Sequence, residues 1–174
     1  MHLSVDYLIT TIDNFTDTVG RALSWLVLFL VLLTCYDVTM RYAFHQGSVA
    51  FQELEWHVFA ALFLLGGAYT LKHDAHVRVD ILYQSRWVSD KGRAYINIFG
   101  TLLFLFPFAY IVISSSWPFV ETSFHFKEGS PDPGGLAYRF IIKSTILLSF
   151  ALMMIQGLAE LLKQVKILQT QETA

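Results

Sequence analysis

Apolar residues along the chain fall into four long blocks that are separated by short polar stretches. The blocks cover approximately residues 20–41, 52–71, 94–117 and 138–162. Roughly 20 helical residues cross a bilayer core of about 30 Å, and each block is close to that length. Strands of a membrane barrel are shorter and alternate apolar with polar positions, which these blocks do not. The pattern predicts an all-α integral membrane protein with four transmembrane helices, in a single membrane domain of residues 1–174.

The first twenty residues show a helical pattern of a different kind. Four apolar residues recur at helical spacing, and three acids lie on the opposite face: Leu8, Ile12, Phe15 and Val19 against Asp6, Asp13 and Asp17. This pattern predicts an amphipathic lead-in that lies in the membrane interface before the first span. The alternative is a frayed first turn of the first helix. Because acids stand where a signal peptide would be basic, we do not expect a cleavable signal peptide.

The connection between the second and third blocks interleaves basic residues with aliphatic and aromatic ones. It contains His76, Arg78, Asp80 and Trp87. Segments of this composition lie along membrane surfaces, so we predict an interfacial helix here.

Basic residues also predict the orientation of the spans. The N-terminal segment, the middle connection and the C-terminal tail hold eight Lys and Arg residues, whereas the two opposite connections hold four, with Lys143 already inside the fourth helix. Loops rich in Lys and Arg stay in the cytoplasm. Both termini and the middle connection are therefore expected on the cytoplasmic side of the membrane.

Composition excludes several classes of protein. The chain is 55% hydrophobic and 15% charged, whereas soluble domains carry about 25% charged residues. A soluble domain and a nucleic-acid binder with a basic stripe are therefore not expected. Cys35 is the single cysteine, which excludes an intramolecular disulfide and a multi-cysteine metal site.

Candidate catalytic and cofactor sites are weak. Haem held by two histidines needs both at similar depth, and only His57 lies within an apolar block. The spacing of His73, His76 and Asp80 suits a metal, but no clear fourth ligand follows. Ser114 to Ser116 lack the base and acid of a hydrolase triad. The sequence therefore predicts no enzyme, cofactor or metal.

Charges at the ends of the spans are more informative. Asp37 and Arg41 are four residues apart, in the favourable order for a helical ion pair. Glu53 is near the start of the second helix, where the helix dipole favours acids. Arg139 and Lys143 open the fourth helix against its dipole, which favours acidic partners or lipid phosphates; snorkelling to the headgroups is the alternative. These five residues are the candidate partner or lipid contacts.

Short motifs follow one another in a characteristic order along the four blocks: Asp37-Val38, Arg41-Tyr42-Ala43-Phe44, Glu53-Leu54, Gly67-Ala68, His76-Val77-Arg78-Val79-Asp80, Gly135-Leu136, Tyr138-Arg139, Lys143 and Gln156-Gly157. Over about residues 19–163, this order resembles a known family, the small membrane subunits of tripartite ATP-independent periplasmic (TRAP) transporters.

The resemblance implies the scaffold subunit of a sodium-coupled, binding-protein-dependent transporter for organic-acid uptake. Its partners would be the large elevator-type membrane subunit that it braces, a periplasmic substrate-binding protein and membrane lipids. The alternative function is a membrane anchor in a haem- or quinone-linked electron-transfer complex.

Overall fold

The computed structural model describes residues 2–73 and 89–172, and all regular structure in these ranges is helical. The elements are α1 (His2–Ala43), α2 (Val49–Lys72), α3 (Asp90–Gly100), a π-helical segment (Thr101–Leu105), α4 (Phe106–His125) and α5 (Phe140–Glu172). From α3 to α4 the chain continues without a break, and we call these residues the third span. Four helices are long and apolar enough to cross a membrane. The predicted all-α fold with four spans is confirmed.

Helix α1 joins the lead-in and the first span in one unbroken rod. Its 42 residues extend over about 63 Å, roughly twice the thickness of a bilayer core. The lead-in is therefore continuous with the span. Its acids face basic residues of α2 and α5, and these contacts hold the segment as helix, whereas Leu8 and Phe15 on its apolar face remain exposed.

The two ends of the molecule are defined by contacts between distant residues. Near both chain termini, Lys166 of α5 binds Asp6 of α1 at 2.6 Å; we call this the terminal end. At the other end, Arg139 lies 3.6 Å from Glu53 of α2; this is the loop end, where the 44–48 and 126–139 connections lie. Helices α2 and α5 thus run in the same direction, opposite to α1.

Helix α5 lies at the centre of the arrangement. It packs against α1, α2 and the third span, whereas among the described helices the third span has extensive contacts with α5 alone. Small side chains permit these close contacts, because Ala68 of α2, Ala109 of α4 and Ala159 of α5 are all buried. Large apolar side chains, among them Trp25 and Phe63, are exposed on the outside. An apolar exterior is the surface that a bilayer requires.

Candidate functional site

A buried carboxylate organises the loop end. Glu53, in the second turn of α2, is 4% exposed. Its Oε1 accepts a hydrogen bond from the Ser130 hydroxyl at 2.5 Å, and its Oε2 accepts one from the Leu136 backbone N–H at 2.6 Å. Arg139 adds a positive charge at 3.6 Å from Oε1. Glu53 therefore holds the 126–139 connection over α2, and each of its two carboxylate oxygens has a hydrogen-bond donor from that connection.

This close approach depends on a glycine in the connection. A Cβ atom added at Gly135 would lie 2.7 Å from Oε2 of Glu53 and even closer to the Ser130 hydroxyl. Three backbone hydrogen bonds lie within the connection: Ser130 N–H donates to Leu136 O at 2.9 Å, Gly135 N–H to Asp132 O at 3.0 Å, and Arg139 N–H to Glu128 O at 2.8 Å. The Gly- and Pro-rich stretch is thus an ordered cap over Glu53.

A second ion pair lies beside the first. Lys143, in the first turn of α5, donates a hydrogen bond to Glu128 of the same connection. The Lys143 ammonium holds the pKa of the Glu128 carboxyl below its ordinary value. The Lys143 ammonium also lies 3.9 Å from the ring centroid of Phe119, and the Arg139 guanidinium lies 5.5 Å from that of Trp56. Both cations therefore lie against aromatic rings.

The remaining two candidate residues pair with each other. Asp37 is 2% exposed and accepts a hydrogen bond from Arg41 one turn further along α1. The helical pair expected from their spacing is present. The Arg41 side chain keeps 38% of its surface exposed, so it can contact another molecule without leaving Asp37.

A second polar cluster, at the terminal end, joins α1 to α5. Gln156 is fully buried and accepts a hydrogen bond from the Thr16 hydroxyl at 2.6 Å. Its amide nitrogen donates to Asp13 and Glu160, each at 3.0 Å. Lys163 binds the same two acids, at 2.9 and 2.7 Å. We call these five residues the α1–α5 clasp.

Helix α2 is tied to the same region. Lys72, its last residue, lies 2.6 Å from Asp17 and donates to the backbone oxygen of Asp13 at 2.9 Å. The following residue, His73, lies 3.2 Å from Asp17. Three helices are therefore cross-linked by charge at the terminal end.

Sequence patterns identified the charged residues at the helix ends better than they identified the partners of those residues. Glu53 and Arg139 were both candidates, and the structure brings them together. Glu128, the partner of Lys143, was not singled out, because it lies in an aperiodic connection. Asp13 was placed on the face of the lead-in opposite its apolar residues, and its contact with Lys163 spans 150 positions of sequence. Separations of this size leave no local signal.

The remaining candidates are the residues of the expected interfacial helix, the possible metal ligands and His57. His76, Arg78, Asp80 and Trp87, and with them the expected interfacial helix, fall between residues 73 and 89, outside the described ranges. Within those ranges, no group of three or more His, Cys, Asp and Glu residues could hold a metal ion. The Nδ1 atom of His57 contacts the backbone oxygen of Glu53.

A comparison with protein families decides the identity of this arrangement. The family described as "Tripartite ATP-independent periplasmic transporters, DctQ component" matches residues 30–167, most of the chain. The chain belongs to the DctQ family. No curated protein matches it.

Membership in the DctQ family makes the chain a small membrane subunit of a TRAP transporter, not an enzyme. The matched residues include the loop end in full and reach Lys163 of the α1–α5 clasp. The electron-transfer alternative is therefore not retained. With four apolar helices, the DctQ chain is a multi-pass membrane protein.

Proposed function

We propose that the chain is the static small subunit of a sodium-coupled, binding-protein-dependent transporter for organic-acid uptake, and that it braces the large elevator-type subunit. The observation that carries this proposal is charge pairing at both ends of α5. Glu53–Arg139 joins α2 to α5 at the loop end, and the α1–α5 clasp joins α1 to α5 at the terminal end. Because the other helices pack on α5, fixing this helix at both ends favours a rigid body that can support a moving partner.

The partners and the location follow from the same proposal. The large membrane subunit binds the apolar flank of the helices, and the periplasmic substrate-binding protein meets the loop end. The chain lies in the bacterial inner membrane with both termini in the cytoplasm, since eight of the twelve Lys and Arg residues lie on that side.

The five candidate residues act at the loop end in two ways. Glu53, Arg139 and Lys143 hold the 126–139 connection in the shape that a partner meets, because each contacts that connection or belongs to it. Arg41 offers an exposed cation to a partner, while Asp37 keeps it in position.

Co-purification tests the assembly. The affinity-tagged chain is expressed in its native bacterium, extracted in mild detergent, and its bound proteins are identified by mass spectrometry. We expect a larger multi-helix membrane protein at a fixed ratio. Liposomes that contain the tagged chain alone should not transport organic acids, whereas liposomes with both subunits and the binding protein should do so in a sodium gradient. Transport by the chain alone would contradict the bracing role.

Charge reversal tests the loop end. Glu53→Lys or Lys143→Glu should weaken assembly or transport, because each places two like charges together in the 126–139 connection. Substrate preference, measured by competition among organic acids, should not change. Lys127→Glu is the matched control, since Lys127 is exposed in the same connection. An altered substrate preference in either variant would be inconsistent with a scaffold role for that residue.

A further inference from the structure

A groove runs along the membrane-facing surface at the loop end, between α2 and the third span. Its volume is about 280 Å³. Six residues form its apolar lining: Trp56, Ala60 and Leu64 of α2, Phe119 of α4, and Ile142 and Ile146 of α5. The groove exists because α2 and the third span both pack on α5 and lack extensive contacts with each other, as far as the described helices go.

Two cations close the loop end of this groove. Arg139 and Lys143 complete its lining. The Lys143 side chain makes one hydrogen bond, to Glu128, although an ammonium has three donors. The guanidinium of Arg139 lies 3.6 Å from Glu53, which is longer than a hydrogen bond. Among the described residues, both cations therefore retain N–H donors for an anion at the mouth of the groove.

The size of the groove limits what can occupy it. From Arg139 to Ile146 the helix rises about 10 Å, most of the depth of one leaflet in a core of about 30 Å. A flexible hydrocarbon chain can follow an apolar lining of that length between two helices.

We propose that this groove binds one membrane phospholipid, with its phosphodiester between Arg139 and Lys143 and one acyl chain along the groove. Both halves of such a lipid match the surface, because an anion meets two cations at headgroup depth and a hydrocarbon chain meets apolar walls. The lipid fills the gap between α2 and the third span that α5 leaves open. The site does not depend on the proposed bracing role.

Native mass spectrometry of the purified full-length chain in mild detergent measures this binding. The chain is titrated with phosphatidylglycerol, and separately with diacylglycerol that carries the same acyl chains and no phosphate. We expect one phosphatidylglycerol to bind, at least about tenfold more tightly than diacylglycerol, because charge-assisted hydrogen bonds supply that difference. Equal binding of the two lipids would overturn the proposal.

A groove-filling variant separates this site from general lipid adhesion. Ala60→Phe places a ring in the groove and leaves Arg139 and Lys143 at its mouth in place. It should weaken phosphatidylglycerol binding at least about tenfold. Ala22→Phe is the control, since Ala22 lies exposed on α1, away from the groove, and it should bind as the unmodified chain does. Loss in both variants, or in neither, would overturn the site.

Removing a cation tests the headgroup. Lys143→Gln should reduce phosphatidylglycerol binding severalfold and leave diacylglycerol binding unchanged. If this variant does not fold, the comparison of Ala60→Phe with Ala22→Phe still tests whether the lipid binds in the groove. Inorganic phosphate at millimolar concentration should not displace the lipid, because the acyl chain supplies part of the affinity. Displacement would indicate a site for free phosphate and would overturn the lipid assignment.

Discussion

Glu53 and Glu128 are two carboxylates that differ in how their charge is held. Glu53 is buried and accepts two hydrogen bonds, and the positive charge of Arg139 lies nearby. The Glu128 side chain is 37% exposed, and its main partner is Lys143. Because this carboxylate is accessible to solvent, pH can act on the Glu128–Lys143 pair at the loop end.

The pKa of Glu128 predicts an acid-dependent loss of stability. Lys143 lowers this pKa below the ordinary value of 4.5, so the pair stabilises the fold fully above about pH 4.5. The contribution is lost as the pH falls further, through the folded-state pKa. Unfolding of the purified chain in detergent is followed by circular dichroism between pH 7 and pH 3. The stability should fall at the acid end, and part of this acid-dependent loss should come from the Glu128–Lys143 pair.

The matched variants for this measurement are Glu128→Gln and Glu121→Gln. Glu128→Gln should lose the part of the acid-dependent change that comes from this pair, because the glutamine side chain does not ionise. Glu121→Gln should retain it, since Glu121 is exposed on α4 and the Glu128–Lys143 pair stays intact. An unchanged pH profile in Glu128→Gln would mean that Lys143 does not stabilise the connection through charge.

Residue patterns predicted the positions of the charges at helix ends, but only some of their partners. Asp37 and Arg41 share a helix, so their spacing alone predicts their contact. The partner of Lys143 depends on how the 126–139 connection folds, which is set by Gly135 and by contacts to α2. Such a connection has no periodicity from which a partner could be found.

At the scale of elements, the α1–α5 clasp shows how a polar residue can be central to a membrane helix. Gln156 is buried between α1 and α5 and makes hydrogen bonds with three side chains. Each of its amide atoms is satisfied, so it joins the helices without leaving a buried polar group unpaired.

Replacing Gln156 should loosen this contact between helices. Gln156→Leu keeps a similar volume and removes all three hydrogen bonds, so it should cost about 1–3 kcal/mol of unfolding free energy. Gln52→Leu makes the same chemical change at an exposed position of α2 and should cost little. Equilibrium unfolding of both variants in mixed micelles measures the difference. Equal costs would mean that the clasp contributes nothing to stability.

A close contact between α1 and α2 predicts that two glycine-to-alanine substitutions differ in their effect on stability. A Cβ atom at Gly20 would lie 2.9 Å from Cγ of Tyr69, at the rigid base of the ring, whereas one at Gly66 would meet nothing within 4 Å. Gly20→Ala should therefore cost about 1–3 kcal/mol. Gly66→Ala should be neutral or stabilise by up to about 1 kcal/mol, because alanine favours helix. The same unfolding assay compares them, and equal effects would contradict the close packing.

The helices themselves were largely predictable, since the length and hydropathy of a span follow from the bilayer. What the pattern did not contain is the continuity of α1. The pattern placed the acids of the lead-in opposite its apolar residues, and on that face Asp13 and Asp17 contact Lys163 and Lys72. An amphipathic pattern distinguishes two faces of a helix, and it does not reveal which polar face has a charged neighbour.

At the scale of the molecule, the proposed orientation places the two ends in different compartments. Ser4 and Lys127 are exposed at opposite ends. In a Cys35→Ser background, a membrane-impermeant maleimide should label Lys127→Cys on intact spheroplasts. Ser4→Cys should react only after the membrane is permeabilised. The reverse pattern would place the termini outside and would contradict the orientation expected from the basic residues.

The central position of α5 has a consequence for biosynthesis. Ribosomes complete α5 after α1, α2 and the third span, yet it is the helix on which all three pack. Until it enters the membrane, α1 and α2 can pair with each other, while the third span lacks its main neighbour and Gln156 has not yet met Thr16. The packing around α5 is therefore completed only after the fourth span has entered the membrane, and a nascent chain that stops before residue 140 exposes to quality-control proteases the surfaces that α5 covers.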